Sequence, residues 1–139
     1  MKIAKRTENK IILPYRKHEK DAGIDLCANG DYIIEPFDVK VISTGVSVDI
    51  PENCMGWITN KSRSNFLVGA GVVDEGYTGE LLVKIFNPTK YEVKINHGDA
   101  IAQLIILPIL RPDLEWVLSI DFFDSKSERG ESGGIKSNL

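Results

Sequence analysis

Glycines and carboxylates gather at three places in this 139-residue sequence, each at the end of a strand-like run. The first is Asp21-Ala22-Gly23-Ile24-Asp25-Leu26. The second is Gly71-Val72-Val73-Asp74-Glu75-Gly76-Tyr77-Thr78-Gly79-Glu80, and the third is His97-Gly98-Asp99-Ala100-Ile101-Ala102-Gln103-Leu104. Asp and Gly at strand ends are ordinarily turn formers, so each cluster alone fits a plain turn. Asn96-His97-Gly98-Asp99 reads as a hairpin turn, with no ligand or base role for His97. The middle cluster carries more chemistry. Gly71, Gly76 and Gly79 predict a hairpin whose backbone adopts positive φ or closely approaches something. Asp74 lies three residues before Tyr77, and this pairing can hold a planar ligand against backbone amides. The ring would cover a sugar while the carboxylate orients a water. An ordinary glycine hairpin with a packed tyrosine fits the same residues. Neither histidine has a His, Cys or carboxylate neighbour at metal-ligand spacing, so no zinc site is expected.

The elements that must position these residues are short strands. Candidates are Tyr32–Ile34, Val39–Ile42, Val46–Ile50, Gly56–Thr59, Leu81–Phe86, Tyr91–Ile95, Ile101–Leu107 and Trp116–Ile120, separated by turns such as Glu35-Pro36-Phe37-Asp38 and Pro51-Glu52-Asn53. Their β-branched content favours strand over helix. No stretch holds an i, i+3, i+4, i+7 pattern over three turns, although Leu67–Val73 imitates one. The expected class is all-β, a distorted jelly-roll-like barrel. It should be one domain over residues 1–124, followed by a flexible C-terminal arm over 125–139. That arm, SKSERGESGGIKSNL, is too polar to offset its ordering entropy by burial.

Composition narrows the class further. With 42% apolar residues the chain can bury an ordinary core without disulfides or a structural metal. A net charge of −3 and a pI near 5.4 give no basic footprint for duplex binding, so no stable nucleic-acid partner is expected. Cys27 and Cys54 are expected to be reduced thiols. Met1–Lys10 is charged and lacks the apolar core of a signal peptide. The longest apolar run, Ile101–Leu110, holds Gln103 and Pro108 and is too short to span a bilayer. A soluble, cytoplasmic protein is expected, or one in the host cell interior if the source is a virus or phage.

The order of the motifs adds what no single cluster supplies. Asp21–Leu26, then Ser62-Arg63-Ser64, then Gly71–Glu80, then Gly98–Ile105, then Glu128-Arg129-Gly130 closely resembles the trimeric dUTPase family, in register from about Ile12 to Arg129. The resemblance implies a jelly-roll-like subunit, a homotrimer with three active sites between subunits, and Mg²⁺ carried in on the triphosphate. The implied reaction is hydrolysis of dUTP to dUMP and pyrophosphate, which keeps uracil out of DNA and supplies dUMP. Asp74 matches the carboxylate that orients the attacking water. Tyr77 resembles the ring under the deoxyribose, and the backbone from Gly71 onward, Val73 included, resembles the hairpin that pairs with uracil. Ser64 and Gln103 match phosphate contacts, Asp25 matches an acid near the metal's water shell, and Arg63 matches a structural arginine. Arg129 would reach the phosphates from another subunit's arm. Chemically this set suffices: phosphoryl hydrolysis needs an aligned water and charge compensation, not a covalent nucleophile.

Three features depart from the family pattern. The stretch from Arg63 to Gly71 is short, with Asn65 where Gly or Ser is common. Val68 stands where an Asn often contacts uracil. After Arg129-Gly130 the family's Gly-Phe-Gly-Ser is replaced by Glu131-Ser132-Gly133-Gly134-Ile135-Lys136-Ser137, without an aromatic. The alternatives are a weakly catalytic regulator that binds a partner, a dCTP deaminase and a bland β-sandwich binding module. Lys84 stands where deaminases carry a glutamate, and a cation there cannot shuttle the proton.

Overall fold

In the computed structural model, which describes residues 1–118, all regular structure is β: β1 (Ile3–Lys5), β2 (Ile24–Cys27), β3 (Tyr32–Ile34), β4 (Val39–Ser43), β5 (Val46–Val48), β6 (Cys54–Thr59), β7 (Leu67–Gly69), β8 (Gly71–Val73), β9 (Leu82–Phe86), β10 (Val93–Ile95) and β11 (Ala100–Pro108). Two larger antiparallel sheets, β2-β11-β6-β8 and β4-β9-β7, are joined by the pairs β1-β5 and β10-β3. All four contribute to one core in a distorted, jelly-roll-like arrangement.

The period-2 pattern shows why these segments are strands. In β9, Val83 and Ile85 are buried while Leu82 and Lys84 face outward. Ile42 of β4, Ile34 of β3 and Leu104 of β11 meet them in the same core. Gly56 lets β6 sit close to its neighbours, since a Cβ there would come within 2.8 Å of Leu104. Asn87, fully buried after β9, donates from Nδ2 to the carbonyls of Ile34 at 3.0 Å and Tyr91 at 2.6 Å, so the β3 and β10 edges are fastened by one side chain. Both cysteines are free. Burial, reinforced by nearby Asp25, pushes the Cys27 thiol up to about 11, so it is an uncharged core residue at neutral pH.

Several expectations need correction. Gly71–Gly79 is not a paired hairpin: β8 pairs with β6 while β9 pairs with β4 and β7, so the chain crosses between sheets there. The turn at Asn96–Asp99 exists, closed by Asp99 N–H to Asn96 O at 3.0 Å with Gly98 at φ 87°, but it too joins strands of different sheets. Leu67–Val73 is two short strands, one in each large sheet. Of the expected strand Trp116–Ile120, residues 116–118 are not strand, and Trp116 is 98% exposed. Its last two residues, the domain end at 124 and the arm 125–139 lie outside the described residues. β1 and β2 were not foreseen as strands.

Candidate functional site

The central sheet sets the first half of the site by register. Gln103 of β11 stands opposite Asp25 of β2 on one side and Thr59 of β6 on the other, so these three share the outward face. Asp25 is nevertheless buried, because the Tyr15 backbone pairs with its own and covers that edge. A buried carboxylate needs a partner, and the Lys61 ammonium supplies one as a hydrogen-bonded ion pair. Gln103 donates from Nε2 to the carbonyl of Asn60 at 2.8 Å. Asn60 also holds the following loop, donating from Nδ2 to Phe66 O at 2.9 Å and accepting from Val68 N–H at 2.7 Å.

Gly23 accounts for the first motif's small residue. A Cβ at this position would overlap the Gln103 carboxamide oxygen and come within 3.1 Å of its Cβ. Gly23→Ala should therefore displace the end of Gln103 while leaving the fold intact. On the phosphate-contact role that the family resemblance implies for Gln103, the expected result is about a ten- to hundredfold loss of nucleotide affinity, the value of one charge-assisted contact, with an unchanged melting temperature. Titration calorimetry and thermal melting check both halves.

Arg63, Ser64 and Gln103 line one cavity of about 680 Å³, together with Lys17, Lys61, Lys94 and Asp99. Lys17, Arg63 and Lys94 face Asp99 there, with Lys61 already paired to Asp25, beside the hydroxyls of Ser62 and Ser64, which suits a polyanion. A turn closed by Ser64 N–H to Lys61 O at 3.3 Å presents those hydroxyls.

The second half lies elsewhere on the chain. None of Gly71, Val73, Asp74 and Tyr77 lines this cavity. β8 is the edge of its sheet, paired with β6 on one side, so its other backbone edge has no strand partner among the described residues. Past β8, Tyr77 N–H donates to Asp74 O at 3.1 Å, and Gly76 takes φ 83° at the third position, as a type II turn requires. Gly76 is thus the positive-φ glycine of the three; Gly79 instead lies under the Tyr77 ring, where a Cβ would collide with it. Asp74 is exposed, with no side-chain hydrogen bond among the described residues. The Tyr77 hydroxyl donates to Glu80 O at 3.0 Å, leaving the ring half-exposed. Glu80 accepts from Gly45 N–H at 2.8 Å and Ser47 Oγ donates to Gly79 O at 2.8 Å, which anchors the return of this segment.

Sequence reasoning passed over Asn60, Lys17, Lys61 and Lys94. Only Lys61, two residues before Arg63, carried a local signal. His97 is a clasp: Nδ1 accepts from Gly30 N–H at 2.8 Å and Nε2 donates to Lys10 O at 2.6 Å. Among the described residues no three His, Cys, Asp or Glu side chains group as metal ligands. Arg129 lies outside the described residues.

The dUTPase family model matches residues 9–137. A deoxyuridine 5′-triphosphate nucleotidohydrolase of Clostridium kluyveri is 36% identical over 94% of this chain and 93% of its own length, and that of Mus musculus 38% over 86% and 74%. The Pol polyprotein of equine infectious anemia virus is 40% identical over 75% of this chain, which spans only 10% of the polyprotein. Among solved structures, the Staphylococcus bacteriophage 80alpha dUTPase with dUPNHPP superposes with a TM-score of 0.84 at 30% identity, covering 99% of this chain and 98% of that one. With the family model matching residues 9–137 and relatives alike in sequence and fold, this chain belongs to the dUTPase family.

Proposed function

We propose that this chain hydrolyses dUTP to dUMP and pyrophosphate with Mg²⁺, as a homotrimer whose active sites are shared between chains. The observation that carries this reading is the separation of two incomplete halves: a cationic, hydroxyl-lined cavity, and an exposed turn bearing Asp74 and Tyr77 that does not line it. A cavity from one chain and a turn from another would make one site. The outer sheet faces support association, with Val72 62%, Leu67 53% and Leu82 50% exposed in the single chain.

Each residue then has a task. Ser64 and Gln103 donate to phosphate oxygens, while Lys17 and Lys94 set the field that draws the triphosphate in. Arg63 shapes the loop. The free edge of β8, Gly71 to Val73, offers backbone donors and acceptors to the uracil edge. Among the described residues a Cβ at Gly71 would meet only Ile58, at 3.7 Å, so none of them crowds that position. Tyr77 packs under the deoxyribose and leaves no room for a 2′-hydroxyl. Asp74 accepts a hydrogen bond from the water and holds it in line with the α-phosphorus. Arg129, from the arm 125–139, would add a cation over the phosphates.

The donor set fits a hydrated ion that arrives on the phosphates rather than one in a protein cage. Asp25 is the carboxylate that would face its waters, after sharing or releasing Lys61. Magnesium bound this way supplies charge compensation on the phosphate oxygens.

Hydrolysis in ¹⁸O-labelled water tests the chemistry: the label should appear in dUMP. Label in pyrophosphate would overturn attack at the α-phosphate.

A further inference from the structure

Asp74 makes no side-chain hydrogen bond among the described residues, so its position is set by its turn, which the Tyr77 and Glu80 contacts hold on the far side and the partners of Glu75 on the near one. The side of the turn at Gly76 is open, with none of the described residues within 4 Å of where a Cβ would stand. Glu75 is anchored instead. Its Oε2 accepts from Arg111 Nη2 at 2.7 Å and from Asn53 N–H at 3.1 Å. Arg111 Nη1 also reaches Asn53 Oδ1 at 3.4 Å, and Ile109 N–H donates to Asn53 O at 2.9 Å. Asn53 is itself in the left-handed region, φ 58°, in the turn before β6. Two segments distant in sequence, the turn before β6 and the exit of β11, therefore converge on the residue next to Asp74 in the Asp74–Tyr77 turn.

Stability does not explain such a clamp. The ion pair is partly exposed, with side chains 51% and 30% accessible, and pairs of that kind contribute little to folding. What a planar guanidinium bridging a carboxylate and an amide oxygen does supply is geometry. We propose that Arg111 is a positioning residue for the reaction: through Glu75 and Asn53 it fixes the turn that aims Asp74 at its water. The inference rests on the role of Asp74 given above. It also has a structural corollary. Arg111 stands three residues beyond β11, on the segment leading toward the C-terminal arm, so the root of that segment and the water-orienting turn are held by one contact.

The test compares Arg111→Ala, Arg111→Lys, Glu75→Gln and the double variant R111A/E75Q in the full chain. Misaiming a catalytic group costs rate rather than ground-state binding, so Arg111→Ala should lower kcat about tenfold with KM within about twofold of wild type. The melting temperature should not move. Arg111→Lys should recover part of the rate, and the double variant should be no worse than the worse single one, as expected for partners in one contact. A second readout does not depend on turnover: exchange of the Tyr77 amide, which closes the turn, should be faster in Arg111→Ala. Wild-type kcat in Arg111→Ala, a loss confined to KM or tracking melting temperature, additive losses in the double variant, or unchanged Tyr77 exchange would each overturn the clamp. A wild-type chain that does not turn over dUTP would instead overturn the reading on which the clamp rests, and Tyr77 exchange would still report on the contact itself.

Discussion

Asp74→Asn should lower dUTP turnover by on the order of 10²-fold or more, with nucleotide affinity close to that of the unaltered chain. The carboxylate is the water's proton acceptor in this account, and a carboxamide of the same shape can accept a hydrogen bond but cannot take the proton. The substitution leaves the turn alone. The bond that closes it runs from Tyr77 N–H to the Asp74 backbone carbonyl, and positive φ is needed at Gly76, not at residue 74. Because Asp74 is exposed and without a side-chain partner among the described residues, folding should be indifferent to the change. Steady-state kinetics beside a binding isotherm for a non-hydrolysable dUTP analogue separates the two quantities. Near-normal turnover would remove Asp74 from the chemistry.

The second large effect is a gain of activity from two inactive proteins. Ser64 and Gln103 line the cavity and Asp74 does not. A Ser64→Ala/Gln103→Ala protein loses two phosphate contacts, each worth about 1.5–3 kcal/mol when charge-assisted, and should be about as impaired as Asp74→Asn. If each site takes its cavity from one chain and its turn from another, co-refolding the two proteins in equal amounts rebuilds intact sites. In a closed ring of randomly mixed chains, about a quarter of the sites receive an unaltered cavity and an unaltered turn. Activity should return to roughly that fraction of the wild-type value, and only after subunits exchange. No recovery from a mixture shown to exchange would mean that each chain completes its own site. The mixed assembly should sediment at about three times the 15.5 kDa chain.

The sequence discloses the fold class more readily than the pairing of its strands. Alternation in Leu82–Phe86 and the β-branched run of Ile101–Leu107 signal strands because local periodicity is enough. Their partners are invisible, since the register of β11 against β2 and β6 is a tertiary outcome, and so a glycine-rich crossing between sheets reads as a hairpin. β2 hid for a physical reason. All four of its residues are buried, and one is Asp25, whose charge suggests a turn until Lys61 neutralises it. Trp116–Leu118 misled in the opposite direction: its apolar residues read as a strand because local composition is blind to pairing, whereas Trp116 is nearly fully exposed and forms none.

The site divides the same way. Its contiguous motifs could be read because each is a short run of unusual residues in a fixed order. The residues that shape it could not: Arg111 lies 36 residues from Glu75 and 58 from Asn53, and nothing local in Arg111-Pro112-Asp113 announces either partner. Lys17 and Lys94 join the cavity only because the fold carries them to its rim.

The most direct test of the account is pyrophosphate release by the unaltered protein with Mg²⁺ on four nucleotides: dUTP, dCTP, dTTP and UTP. Release is expected from dUTP alone at an appreciable rate: the β8 edge selects the base, Tyr77 rejects the 2′-hydroxyl of UTP, and chelating the metal should abolish turnover. Comparable hydrolysis of dCTP or UTP, or no release from dUTP by a well-folded trimer, would contradict it.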